Sequence, residues 1–310
     1  MQVVHGLHKK VTSNRCQVAI GVFDGVHLGH QELLTTMVQA AKAGNSKAVG
    51  VTFDPHPAAT LRSTPPLLLT TLEERIPLLE SLGLDILVVV PFTHQIARTE
   101  AADFVVSLTS NLDVAGLWYS EGFAIGQGRT GDDTFLRRAG EQRGFATHVV
   151  EPARWQGAVV SSSRVRRALE SGDLRGANGC LGRPYRLTGE VVHGDNRGRL
   201  FGVPTANLAL PPQRLVPANG IYACRAHSEQ VRNLPAVTSV GTRPSFDGHQ
   251  RTVEAHVLDF QGDLYGRSLA VDFHKRLRDE MVFLTTEQLT AQIDEDISQA
   301  RVALATGKEE

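Results

Sequence analysis

The chain has 310 residues, more than one hydrophobic core usually serves, so two domains are expected. Hydrophobic residues make up 41% and charged residues 21%, and 32 basic residues against 33 acidic ones leave a formal net charge of −1. With no long block of one sign and only 6% aromatic residues, the composition excludes the electrostatic footprint of a nucleic-acid or anionic-membrane binder, while small anionic ligands need only local donors. Cys16, Cys180 and Cys224 are far apart, with no metal spacing, which points to a reducing cytoplasm and no disulfide framework. Residues 1–10 hold no apolar signal core, and the aliphatic run from Ile86 to Val90 falls well short of the about 20 residues that span a bilayer.

In chain order, Val18 to Phe23 reads as a buried strand, followed by Leu33, Leu34, Met37, Val38 and Ala41 on one helical stripe. Val49 to Phe53 is a second strand. A helix then opens at Thr71, with Glu74 completing a capping box, and closes at Gly83. The β-branched run Ile86 to Val90 suits a strand covered on both faces. Helical segments at 101–112 and 132–143 precede a strand at 146–150. This alternation predicts an α/β domain with an open parallel sheet.

After Ser161 the character changes. Two short helices, 163–171 and 174–181, lead to Gly182-Arg183-Pro184. Short β-branched segments follow at 187–192, 221–226, 236–240, 252–258 and 269–273, separated by turn residues, which predicts a small antiparallel barrel. A C-terminal helix carries Leu289, Ile293, Ile297, Ala300 and Leu304 on one face. The expected domains are 1–183 and 184–310.

Two segments carry chemistry. The first, Gly21 to His30, joins the first strand to its helix at the carboxyl edge of the sheet, where open α/β folds bind ligands. Gly21 and Gly29 allow close backbone approach, and the helix N-terminus offers N–H groups to a phosphate. His27 and His30, three apart, can both serve an anion and stabilise charge developing at an α-phosphorus. Alone, the segment is also compatible with a glycine-rich turn holding incidental histidines. A zinc site lacks a third ligand at suitable spacing. The second segment runs from Gly189 through Gly194 to Arg199 and is followed by Pro204-Thr205-Ala206-Asn207. Thr205 and Asn207, two apart, present neutral oxygens together if extended, a set suited to Mg²⁺ shared with ATP phosphates. No GxxxxGK[ST] pattern occurs, which excludes a P-loop kinase.

The first segment resembles the HxGH signature of the nucleotidylyltransferase superfamily. Thr52 to Pro57 and Ser161 to Arg166 resemble further motifs of prokaryotic FMN adenylyltransferases. Pro204 to Asn207, Pro217 to Tyr222, Val240 to Phe246, Glu254 to Phe260, Leu264 to Gly266 and Arg276 to Glu280 resemble riboflavin kinase, in that family's order. Together the modules cover about residues 15 to 300 and resemble the bifunctional prokaryotic riboflavin kinase/FMN adenylyltransferase (FAD synthetase) family. The resemblance implies a Rossmann-like nucleotidylyltransferase domain followed by a six-stranded kinase barrel. It implies two ATP-dependent steps, riboflavin to FMN in the barrel and FMN to FAD in the α/β domain.

Carried onto this sequence, the resemblance assigns Gly21, Phe23, Asp24, Gly29, Ser162, Ser163 and Arg166 to ATP in the adenylyltransferase, with His27 and His30 catalytic. In the kinase it assigns Gly189, Gly194, Pro204, Thr205 and Asn207 to Mg-ATP, Glu254 as general base, and Arg278 and Glu280 to the flavin. The implied partners are ATP, riboflavin, FMN and FAD, with neither nucleic acid nor membrane. One departure stands out. The family's Gly-x-Asp/Asn-Phe-x-Phe-Gly segment is matched by Ser120 to Gly126, with Gly122 replacing the acid or amide and Ile125 an aromatic. A riboflavin kinase with a weakened adenylyltransferase module is therefore the alternative reading. A non-catalytic flavin- or nucleotide-binding sensor is a third, opposed by the Thr205, Asn207 and Glu254 set.

Overall fold

The computed structural model describes residues 1–7, 10–194, 202–245 and 248–305. Asp195 to Arg199 and Phe246, part of the motifs read above, lie outside the described residues. The chain forms two compact units, Met1–Ser162 and Ser163–Glu310.

In the first unit, β1 (Gln2–His5), β2 (Arg15–Ile20), β3 (Lys47–Asp54), β4 (Ile86–Pro91), β5 (Asp113–Ser120) and β6 (Ala146–Val150) form one sheet in the order β1-β4-β3-β2-β5-β6. Every pairing is parallel. The helices are α1 (Leu28–Ala43), α2 (Pro57–Leu61), α3 (Leu72–Ser81), α4 (His94–Ala97), α5 (Ala101–Asn111) and α6 (Asp133–Arg143). Alternation along the strands fills a core on each face. Val18, Ile20, Val88 and Val90 pack with α5 residues Phe104, Val105 and Leu108. Ala19, Leu87 and Val89 pack with Leu33, Leu34 and Met37 of α1. Burial on both faces explains the unbroken apolar run in β4.

The predicted open parallel sheet is present, with two differences. Strand β2 ends at Ile20 because the chain turns at Gly21, ahead of the Phe23 expected from hydrophobicity alone. Strand β1 was not anticipated; its four residues pair only with β4 at the sheet edge. Strand order reverses at β2, which lies between β3 and β5, so the loops after β2 and β5 meet at the switch point that binds ligands in open α/β sheets.

A two-residue hairpin, β7 (Arg154–Trp155) and β8 (Ala158–Val159), precedes α7 (Ser162–Ser171) and α8 (Leu174–Leu181). These helices lie ahead of the expected boundary at 183, yet all but Ser162 belong to the second compact unit. Hydrogen bonds give the reason. Asn178 Nδ2 donates to Phe273 O and Asn178 Oδ1 accepts from Tyr185 N, both at 2.9 Å, while Leu169 O accepts from Ala218 N.

The second unit is a closed six-stranded barrel of β9 (Tyr185–Val192), β10 (Ala206–Ala209), β11 (Gly220–His227), β12 (Leu234–Ser245), β13 (Gly248–Val257) and β14 (Ser268–Arg278). All its pairings are antiparallel, as the period-two segments predict. Leu187, Tyr222, Cys224, Val271 and Phe273 are fully buried in it. The C-terminal helix, Thr286–Ala305, buries Ala300 and Leu304 as expected. It also buries Asp296, while Leu289, Ile293 and Ile297 stay half-exposed. The cause is polar: Asp296 accepts two hydrogen bonds from Arg278 of β14, at 2.8 and 2.7 Å.

Candidate active sites

In the first unit the loop from Gly21 to His27 connects β2 to α1 across the switch point. A Cβ on Gly21 would lie 2.7 Å from the Phe23 ring, closer than side chains tolerate, while one on Gly29 would press on His27 Cε1 at 3.3 Å. His27 is the N-cap of α1, and its Nδ1 accepts from the His30 N–H at 3.4 Å. That acceptor role directs the ring proton of a neutral imidazole to Nε2. The His27 and His30 rings stack with centroids 3.6 Å apart, and His30 meets the Phe23 ring edge-on at 5.4 Å. The two histidines expected to serve one anion therefore form one stacked pair at a helix N-terminus.

Asp24 is turned inward. Only 2% exposed, its carboxylate accepts from the N–H groups of Leu69 and Thr70 and from the Thr70 hydroxyl. Its main-chain oxygen accepts from Ser162 Oγ at 2.9 Å. Ser163 and Arg166, read from sequence with Ser162, fall in the second compact unit, on the first turns of α7.

Beside the loop lies a cavity of about 690 Å³ whose walls include Gly21, Phe23, His30, Phe53, Phe92 and Phe123. They also include Gly122 and Ile125, the two departures from the family pattern. The cavity thus joins His30, from the first turn of α1, to aromatic walls, which suits a ligand with a phosphate end and a flat apolar end.

Two buried residues that sequence reasoning missed support the loop. Arg75 of α3 is 2% exposed and donates to Val22 O at 2.9 Å and to Thr70 O at 3.2 Å. Burial pulls its guanidinium pKa down, against the opposing pull of Asp24 and Asp54. Thr70 Oγ1 in turn accepts from Gly25 N at 2.9 Å. A signal for Arg75 existed. It occupies the buried stripe of α3 four residues before Leu79, a place for an apolar residue.

In the barrel, β10 lies between β9 and β13, and Asn207 faces Glu254 in register. Thr205 Oγ1 donates to Glu254 Oε2 at 3.4 Å, and His256 Nδ1 lies 2.8 Å from Pro204 O, tying the Pro-Thr-Ala-Asn turn to β13. A Cβ on Gly189 would lie 2.5 Å from the backbone oxygen of Ala209, so glycine is sterically required there, and one on Gly194 would lie 2.4 Å from the Asn207 amide and displace it. A small cavity of about 80 Å³ beside Thr205 is walled by Val191, Pro204, Phe260 and Tyr265.

The donor set at this edge is a hydroxyl, an amide oxygen and one carboxylate, and among the described residues no group of three His, Cys, Asp or Glu could hold a metal. Such a set fits a hard cation that takes its remaining ligands from phosphate and water, and does not fit a transition metal. Arg278 and Glu280 are engaged structurally. Arg278 forks onto Asp296, and Glu280 Oε2 accepts from Asn219 Nδ2 at 2.8 Å. Asn219 also binds Thr242 and Arg251, so the Pro217–Tyr222 turn and the Asp279–Glu280 segment are joined in one network.

Comparisons with known proteins follow this division. A family model for FAD synthetase matches residues 9–164, and one for riboflavin kinase matches residues 181–304. The bifunctional riboflavin kinase/FMN adenylyltransferase of Escherichia coli K12 is 35% identical over 305 residues, covering 97% of both chains. That of Bacillus subtilis 168 is 35% identical over 311 residues, again with 97% coverage of both. A crystal structure described as a macrolide-efflux protein from Streptococcus pneumoniae superposes with a TM-score of 0.90 at 28% identity, over 97% of this chain and 99% of that one. By its two matched domains, their order, and full-length identity to these enzymes, the chain belongs to the bifunctional riboflavin kinase/FMN adenylyltransferase family.

Proposed function

We propose that this chain makes FAD in two ATP-dependent steps, phosphorylating riboflavin in the barrel unit and adenylylating the product in the sheet unit. The observation that carries the reading is that one chain holds both a glycine-histidine helix entrance and a Thr205–Asn207–Glu254 barrel edge.

The two nucleophiles differ, and so do the residues. The ribityl hydroxyl of riboflavin is weak until its proton leaves. Glu254 takes that proton as the oxygen bonds to the γ-phosphorus and the bond to ADP breaks. The phosphate of FMN is already an anion and needs no base. Its oxygen bonds to the α-phosphorus of ATP and pyrophosphate leaves, while the His27 and His30 donors and the N-terminus of α1 stabilise the charge that builds. Gly21, Phe23 and Gly29 bring backbone to the phosphates, and the Phe53, Phe92 and Phe123 compartment takes the flat end of a ligand. Thr205 and Asn207 would hold Mg²⁺ with ATP phosphates, a cation that neutralises phosphate charge when bound. Buried, unpaired Cys16, Cys180 and Cys224 favour a cytoplasmic setting.

The test is to follow riboflavin, FMN and FAD by chromatography with wild type, His30→Ala and Glu254→Ala. His30→Ala is expected to lower FAD formation about 10²–10³-fold and spare FMN formation. Glu254→Ala should lower FMN formation by about 10²–10⁴-fold and leave FAD formation from added FMN intact. Loss of the same step in both variants would contradict the assignment. A second reading, a kinase with weakened adenylyl transfer, rests on Gly122 in the cavity wall.

A further inference from the structure

Phe23 and Val26 both take positive φ, 53° and 40°, although one is bulky and the other β-branched. Such residues rarely occupy this region, and they persist there only where their surroundings over-determine them. The surroundings here are a buried polar cluster of Asp24, Thr52, Thr70 and Arg75, each at most 5% exposed.

Within it one acceptor is served twice. Val22 O accepts from Arg75 Nη1 at 2.9 Å and from Thr52 Oγ1 at 3.0 Å. In a trans peptide the N–H points opposite to the C=O, so two donors on Val22 O fix the Phe23 N–H facing away from Arg75 and Thr52. The same guanidinium reaches Thr70 O at 3.2 Å and Thr70 Oγ1 at 3.5 Å, and lies 4.0 Å from Asp24 Oδ1. Thr70 passes the restraint on, because its hydroxyl accepts from Gly25 N and donates to Asp24. A single side chain thereby constrains the peptide before Phe23 and, through Thr70, the two residues after it.

We propose that Arg75 is a positioning residue for adenylyl transfer, acting with Thr52 through the Val22 carbonyl to hold the strained Phe23–Val26 segment in the conformation that receives the nucleotide phosphates. This rests on the reading of that loop as the phosphate site. The residue does not touch substrate. Its effect is on the alignment of donors, which matters most when charge develops, so its loss acts on kcat for FAD formation more than on the KM for FMN.

The experiment uses the full chain with Arg75→Met, Arg75→Lys, Thr52→Val, the Arg75→Met/Thr52→Val pair and His27→Ala. Rates of FMN formation and of FAD formation from added FMN are measured for each. Arg75→Met is expected to lower kcat for FAD formation about 10–100-fold, with little change in the KM for FMN and a normal kinase rate. Arg75→Lys should recover part of the loss, since an ammonium can reach Val22 O but cannot fork to Thr70 as well. Thr52→Val should cost about threefold or more alone. In the pair the losses should fall short of their product, because both donors serve one carbonyl. A wild-type FAD rate in Arg75→Met would overturn the proposal. If Arg75→Met also loses kinase activity, the milder Thr52→Val decides: a loss confined to FAD formation supports the proposal and a wild-type rate overturns it. Retention of FAD formation in His27→Ala would overturn the underlying reading, and the proposal with it.

Discussion

Gly122 takes φ +74°, a conformation that Asn and Asp adopt more readily than other non-glycine residues. Arg129 Nη2 donates to Gly122 O at 2.7 Å, and a Cβ at Gly122 would meet nothing within 4 Å. Gly122→Asp should therefore fold, at a backbone cost of about 1 kcal/mol. We expect FAD formation by Gly122→Asp to be no faster than wild type; a many-fold gain would favour the weakened-module reading. Single residues were legible in the sequence where their type was unusual for their place. The glycines and histidines of 21–30 stand out, although the crowding at Gly21 and Gly29 comes from the Phe23 and His27 rings, which the sequence did not indicate. The role of Asp24 was not legible, because its partners Leu69 and Thr70 lie 45 and 46 residues away.

Local periodicity identified most elements, because the sheet and barrel bury alternate residues and the helices bury stripes. The capping box of α3 was readable from Thr71 and Glu74, and both of its hydrogen bonds are present. Register was not readable. That Asn207 faces Glu254 is a property of barrel closure, and no local pattern in β10 or β13 encodes it. The C-terminal helix shows a related failure, since its seat depends on a buried carboxylate within an otherwise apolar stripe. Asp296 is 3% exposed and pairs bidentately with Arg278, while Gln292 Nε2 donates to the same carboxylate at 3.0 Å. Removing one partner of such a pair strands the other. Asp296→Ala is expected to destabilise the barrel unit by about 3 kcal/mol, measured by urea unfolding. A change near zero would show that the apolar contacts of Ala300 and Leu304 seat the helix unaided.

At the scale of the whole molecule, the proposed function gives the two compact units different solutions to phosphate chemistry. In the proposed function the sheet unit would use backbone N–H groups and imidazoles at a topological switch point, where the incoming phosphate is already charged. The barrel unit places a carboxylate beside a hydroxyl and an amide oxygen, where a neutral alcohol must lose a proton. The order of the two in the chain matches the family models, and length together with the change of pattern after Ser161 made two domains visible in the sequence. The exact division was less visible, since α7 and α8 are tied to the barrel by contacts of Leu169 and Asn178 with residues far along the chain.

If the two sites work separately, chains crippled at different sites complement each other when mixed. His30→Ala and Glu254→Ala are combined in one reaction with riboflavin, ATP and Mg²⁺. Neither variant alone is expected to make appreciable FAD from riboflavin, whereas the mixture is, with FMN released by the first and consumed by the second. No FAD from the mixture, with each variant retaining its own half-reaction, would contradict that separation.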